Sequence, residues 1–246
     1  MHVKQAANVV DLLTYFAERR EPATLAEIAD DLGWPRSSTF NLVGTLADKG
    51  FLYETRARGG YYPTPLWLTL SSAISEAEPL SPALRAAAAE VCARTGETTA
   101  VGTVAGAHVM FVDVAESSQP IRYFAKVGDR VPIHASAAGR ALLAQFSPAE
   151  REAIYRKIDF EQYGATTPML AEAVEAKLQR AEARGYHQSE AEFVPDLVGV
   201  ALPIPLAQRR LSMVVAGPAT RCLTRRGEIA AVLRETLDRF GGDLGG

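Results

Sequence analysis

One hydrophobic spacing occurs three times within the first fifty residues: Val9, Leu12, Leu13, Phe16; then Leu25, Ile28, Ala29, Leu32; then Thr39, Leu42, Val43, Leu46. Each set runs i, i+3, i+4, i+7 and predicts one face of a short amphipathic helix. The second helix is expected to begin at Thr24, with Glu27 completing a capping box, and to stop at Gly33. The third has Pro35 where a first helical residue is expected and ends in the turn Asp48, Lys49, Gly50. Two short helices joined this tightly through a Gly-containing turn read as a helix-turn-helix, with the third helix in the recognition position.

After Gly50 the period changes from helical to alternating. Phe51, Leu52 and Tyr53 form a short β run, residues 55–60 a polar, Gly-ended turn, and Tyr61 and Tyr62 a returning strand before Pro63. A hairpin in that place is the wing of a winged helix. Its turn carries Arg56 and Arg58, long cations suited to phosphate or minor-groove contact.

Charge tests that reading. The chain as a whole is net −3 with a pI of about 5.9, which taken alone argues against a nucleic-acid partner. Residues 35–62, however, hold four Lys or Arg against two Asp or Glu, so the face proposed for DNA is basic within an acidic protein. On it Arg36, Ser37, Ser38, Phe40 and Asn41 lie off the apolar stripe of the third helix. Hydroxyls and backbone N–H groups at a helix start bind phosphate, Arg reaches guanine or phosphate, and Asn reads adenine through two hydrogen bonds. The plainer alternative is that this segment is only a polar helix start.

The 246 residues exceed one small domain. Residues 1–62 are expected to form the winged helix, 63–81 a linker with one helix, and 82–246 a second domain. The linker is rich in proline and carries Leu66, Trp67, Leu70 and Ile74, an apolar stripe that a dimer contact would cover. Beyond it, helices are expected at 82–94, 135–145, after Pro148, at 168–184 and at 225–240. β runs are expected at 98–104, 108–114, 121–127, 198–204 and 211–216. Strands at both ends with helices between them predict an α+β domain built on one antiparallel sheet. Cys92 and Cys222 are too few for a disulfide framework and too far apart for a zinc knuckle, so no metal or cofactor is expected. No apolar run approaches the roughly 20 residues of a membrane span, and the first residues lack a signal-peptide pattern, so a cytoplasmic protein is the default expectation.

Four segments together resemble the IclR family of bacterial transcription regulators: residues 126–144 (KVGDRVPIHASAAGRALLA), Arg184-Gly185-Tyr186 continuing to Glu192-Phe193, Val200-Ala201-Leu202-Pro203-Ile204, and Gly217-Pro218-Ala219-Thr220-Arg221. The resemblance implies a winged helix, a linker helix and a GAF-like effector-binding domain, assembled as a dimer or a dimer of dimers. It implies operator DNA and a small-molecule effector as partners, and places the effector against Ala137, Ala138, Ser189, Leu197, Gly199, Val214 and Ala216. Members that bind small oxo acids tend to carry Asp, Cys and two Ser where this chain has Ser189, Gly199, Val214 and Ala216. Those replacements predict a roomier, more apolar pocket that favours a bulkier, aromatic acid. In the third helix, Phe40 and Asn41 stand where many members carry His or Tyr and Arg, so no operator sequence carries over. From the residues themselves, Ser136 is expected to cap a small-residue helix whose N–H groups face an anion.

Two other classes compete with a ligand-responsive repressor. An enzyme would draw on His134 and Ser136 as base and nucleophile, but there is no Gly-x-Ser-x-Gly elbow, phosphate-cradling loop or His-Glu-x-x-His. His134 is better read as a structural hydrogen-bonding residue and both cysteines as buried apolar groups. A protein-binding scaffold would use the same winged helix without needing Arg36, Arg56 and Arg58.

Overall fold

The computed structural model describes residues 3–55, 59–77, 80–204, 206 and 209–241. They divide into two compact units, Met1–Pro79 and Leu80–Gly246. The first unit contains α1 (Lys4–Arg19), α2 (Leu25–Asp31), α3 (Arg36–Asp48), β1 (Leu52–Thr55), β2 (Gly60–Pro63) and α4 (Leu66–Ala77). Stripes from the first three helices meet in one core in which Leu12, Phe16, Ile28, Val43 and Leu46 are buried with Leu52 of the hairpin. Thr24 caps α2: its Oγ accepts the Glu27 N–H at 3.3 Å while the Glu27 carboxylate accepts the Thr24 N–H at 2.8 Å. Pro35 is the N-cap of α3 and not its first residue, a one-residue shift of the kind helix ends commonly show.

The hairpin is antiparallel, with Tyr53 opposite Tyr62. Ala23 and Tyr61 exchange two backbone hydrogen bonds of 3.1 and 2.7 Å, tying the wing to the α1–α2 connection. Glycine at position 60 permits that approach, since a Cβ would lie 3.2 Å from the Ala23 carbonyl carbon. The start of α4 is fixed through Trp67, whose indole donates to the Phe51 carbonyl at 2.9 Å and whose ring lies 4.4 Å from that of Phe51. Leu66, Leu68, Leu70 and Ile74 on the same helix are exposed.

The second unit runs α5 (Pro82–Thr95), β3 (Thr98–Ala105), β4 (His108–Ala115), β5 (Arg130–Pro132), α6 (Ala137–Leu143), α7 (Pro148–Tyr155), α8 (Ala171–Arg184), β6 (His187–Glu190), β7 (Leu197–Ile204), β8 (Leu211–Pro218), α9 (Ala219–Cys222) and α10 (Arg226–Phe240). Its strands form one six-stranded sheet in the order β5-β4-β3-β8-β7-β6, antiparallel throughout. Alternation along each strand divides the core. Val101, Val200 and Met213 pack with Val91 of α5 and Leu233 of α10, whereas Ala100, Ala201 and Val214 pack with Leu142 of α6 and Leu178 of α8.

Three expectations need correction. Residues 121–127 form no strand; the segment is held one group at a time, the Thr98 hydroxyl donating to the Tyr123 carbonyl at 2.7 Å and Arg221 to the Ile121 carbonyl at 2.8 Å. The sheet edge there is instead β5, a few residues later. The edge strand β6 escapes an apolar-pattern reading because its sequence, HQSE, is polar throughout. Cys222 is buried but Cys92 is only half-buried.

Close packing of α6 against the chain that leads into it depends on Gly139, where a Cβ would fall 2.0 Å from the Ile133 carbonyl oxygen. Gly139→Ala should therefore destabilise the second unit by about 2–3 kcal/mol, as backbone-level overpacking does, read as a lowered urea midpoint by far-UV circular dichroism.

Candidate functional sites

On the first unit, the sequence-predicted face of α3 is exposed: Arg36, Ser37, Ser38, Phe40 and Asn41 all reach solvent, while Thr39 between them is fully buried. Arg36 lies 3.6 Å from Asp30 with both side chains largely exposed, so that ion pair is weak and leaves the guanidinium available. Arg56 and Arg58 lie outside the described residues. The hairpin that carries them is closed by the Thr55 hydroxyl, which donates to the Gly60 carbonyl at 3.0 Å.

A polar cluster absent from the sequence reading sets the angle of the helices behind that face. Arg19 of α1 donates to Glu27 at 2.7 Å and to Asp31 at 3.2 Å on α2, and the Tyr15 hydroxyl donates to Asp31 at 2.8 Å. The Thr24 backbone and hydroxyl hydrogen bonds, then Arg19, hold the Glu27 carboxyl down at about 2, while burial and the bond to Asp31 push the Tyr15 hydroxyl up to about 12. The i, i+4 relation of Tyr15 and Arg19, with two carboxylates one turn apart on the next helix, was the available signal.

On the second unit, a cavity lies between the start of α6 and strands β6, β7 and β8. The structure brings to its wall all seven residues assigned to an effector in the sequence: Ala137, Ala138, Ser189, Leu197, Gly199, Val214 and Ala216. Phe111, Tyr123, Phe193 and Val194 complete an apolar lining, with Ser136 and Glu192 at its polar side. Gly199 allows the closest approach: a Cβ there would stand 2.8 Å from Ser189 Oγ and 3.2 Å from Ala137 Cβ. Ser189 Oγ accepts the Ala137 N–H at 3.3 Å. The volume is about 40 Å³, against the roughly 150 Å³ of an apolar cavity that takes up benzene.

Beside this cavity is a buried ion pair that the sequence reading quoted within its segments but gave no role. Arg140 of α6 is 1% exposed and Glu192 4%. The two meet in a fork, Nη1 to Oε2 at 2.7 Å and Nη2 to Oε1 at 3.1 Å. Arg140 also donates to the carbonyls of His134, at 2.9 Å, and Gln188. Lys177 of α8 adds a second cation to Glu192 at 3.0 Å, and Thr167 donates to the Glu192 backbone carbonyl at 2.5 Å. Two cations therefore match the one charged residue, Glu192, that lines the cavity. A lone arginine inside an otherwise apolar helical segment, AAGRALL, was the sequence signal for it.

His134 and Ser136 do not form a base–nucleophile pair. Ser136 Oγ donates to the Pro132 carbonyl at 2.8 Å and accepts the Gly139 N–H at 3.1 Å, capping α6. The buried His134 ring packs edge-on against Phe160 at 5.1 Å, with neither ring nitrogen in hydrogen-bonding geometry to the described residues. Its ring is held by packing, while its backbone carbonyl accepts from Arg140, so the residue is structural as expected. Among the described residues no group of three His, Cys, Asp or Glu side chains is placed to hold a metal ion, and no helix is long and apolar enough to cross a membrane.

Comparison with known proteins gives two family matches. Residues 75–239 match the bacterial transcriptional regulator IclR C-terminal family, and residues 5–56 match the IclR helix-turn-helix domain. The chain is 29% identical over 219 residues to the HTH-type transcriptional regulator BhcR of Paracoccus denitrificans, covering 88% of this chain and 77% of that protein. Among solved structures it is similar to the Thermotoga maritima IclR, with a TM-score of 0.75, 19% identity and full coverage of both chains. It is also similar to an IclR homolog of Microbacterium hydrocarbonoxydans complexed with 4-hydroxybenzoate, with a TM-score of 0.72, 24% identity and 98% coverage of each chain.

Two buried histidines, His134 and His187, give the second unit a pH dependence, since burial pushes both imidazoles down. Burial, then the charges of Arg140 and Arg184, push the His187 imidazole from 6.5 down to about 4. Between those values the unfolded chain binds a proton that the folded unit refuses, so stability is full above pH 6.5 and falls as the pH drops toward 4. The loss from His187 should reach about 3 kcal/mol, and His187→Leu should make that slope shallower in urea titrations across this range.

Proposed function

The chain belongs to the IclR family of bacterial transcriptional regulators, and from that premise we propose that it is a cytoplasmic repressor whose grip on operator DNA is set by an aromatic carboxylic acid bound in its second unit. The observation that carries the effector class is the composition of the cavity wall. Its lining is aromatic and aliphatic, it lacks a carboxylate free to repel an anion, and the one carboxylate beside it, Glu192, is matched by both Arg140 and Lys177. An aromatic ring suits the apolar wall, and an acid is not repelled by a carboxylate already matched by two cations. A neighbour of the same fold, complexed with 4-hydroxybenzoate, supports this class over glyoxylate-sized acids.

A ring does not fit the cavity at its present volume, so binding requires Phe193 and Val194, beyond the anchored Glu192, to move outward. A ligand that binds the opened arrangement more tightly shifts the population toward it, and through it the DNA-binding state. On the first unit, Arg36, Ser37, Ser38, Phe40 and Asn41 form the DNA-reading surface, with Arg56 and Arg58 on the wing reaching backbone or minor groove. The exposed Leu66, Leu70 and Ile74 recur at i, i+4 on α4 and are covered by a second copy of the chain, so that two recognition helices engage one operator. Neither His134 nor Ser136 has the geometry of a catalytic pair, which favours regulation without catalysis.

Calorimetry with a panel of acids checks the effector: aromatic monocarboxylates should bind at least about tenfold tighter than glyoxylate or pyruvate, and the reverse order would remove the aromatic assignment. For the DNA surface, Arg36→Ala should cost about 1–3 kcal/mol of affinity for the chain's own upstream DNA in gel shifts and make binding less salt-dependent.

A further inference from the structure

On α3 the buried Thr39, Val43 and Leu46 leave Ser37, Asn41, Gly44 and Asp48 on the opposite side at helical spacing, flanked by Phe40. Phe40 is 63% exposed, whereas Phe16 and Phe51 of the same unit are seated against Tyr62 and Trp67. Four residues on, Gly44 occupies a helix interior, where glycine is among the least favourable residues. Its φ is not in the left-handed region, and a Cβ built on it meets nothing within 4 Å, the Phe40 side chain included. Neither backbone geometry nor packing within the unit requires glycine here, and its absence of a side chain leaves the backbone open to close approach by another molecule.

Phe40 and Gly44 are i, i+4 neighbours on one helix face, an apolar ring beside a bare stretch of backbone. Among the groups that base pairs present in the major groove, the thymine 5-methyl is the apolar one. We propose that Phe40 and Gly44 together form a thymine-methyl reader, the methyl seated over the backbone at Gly44 and against the ring of Phe40. The operator therefore carries a required T at the position facing them, independent of the hydrogen bonds made by Asn41. The inference rests on α3 being the recognition helix.

The test uses the full chain and the duplex it selects from a randomised DNA library. Replacing thymines one at a time by deoxyuridine removes only the methyl group. One such replacement should weaken wild-type binding about fourfold, the worth of one buried carbon. Phe40→Ala should bind the thymine and deoxyuridine duplexes equally. Gly44→Ala, which meets no clash inside the protein and should melt at or above the wild-type temperature, fills the notch: it should lose affinity for the thymine duplex by about tenfold and prefer the deoxyuridine one. Arg36→Ala and Asn41→Ala separate the two levels of the argument. If they weaken binding while Phe40→Ala and Gly44→Ala keep the wild-type thymine preference, the methyl reader is overturned and the recognition helix stands. If all four variants bind the selected duplex as wild type does, the recognition-helix reading is overturned and the methyl reader with it.

Discussion

The buried fork between Arg140 and Glu192 is the contact on which the architecture of the second unit turns. An arginine taken almost wholly out of water is tolerable only where a carboxylate and carbonyls satisfy its guanidinium, and those acceptors come from three separate places in the chain: residue 134 before α6, residue 188 on β6 and residue 192 beyond it. The pair therefore fixes where α6 sits against the sheet edge and where the 190–197 segment crosses it. Both surfaces wall the cavity, so the ion pair and the site cannot be altered separately. Lys177 and Thr167 extend the same arrangement to α8 and the loop before it.

Glycines do the complementary work, by bringing backbones together where charge and packing demand it. Gly139 admits the Ile133 carbonyl, Gly199 admits Ser189 and Ala137, and Gly60 admits the Ala23 backbone. In each case the neighbour within the chain explains the residue. Gly44 differs because nothing in the described chain approaches it, which leaves its backbone open on the face proposed for DNA.

The first unit is organised by a smaller version of the same principle. Its apolar core is three short helical stripes and a hairpin residue, enough to hold the helices together but not to set their angles closely. The Arg19, Glu27, Asp31 and Tyr15 cluster and the paired backbone bonds of Ala23 and Tyr61 supply direction, since hydrogen bonds are directional where hydrophobic contact is not. These bonds set α1, α2 and the wing relative to one another, and α3 joins them through its buried Val43 and Leu46.

Much of this was legible in the residues. The three helical stripes, the capping box at Thr24 and the hairpin follow from local spacing, and local spacing is what the chain presents without its tertiary structure. The seven residues now found on one cavity wall were assembled only through family resemblance, because no periodicity links position 137 to 199 or 214. What the tertiary structure decided was everything that depends on distant partners. The segment 121–127 has a strand's alternation yet pairs with no strand, and β6 pairs as a strand with no apolar alternation, because strand formation is settled by the neighbour that is available. The pocket is apolar, as its residues dictate, and its volume is set by segments distant in sequence that meet only in the fold. The sequence alone determined which helices form and which face of α3 stays free; where the buried arginine finds its carboxylate, and hence the shape of the cavity, was decided by the fold, since burial of charge is a property of the assembled interior and not of any one segment.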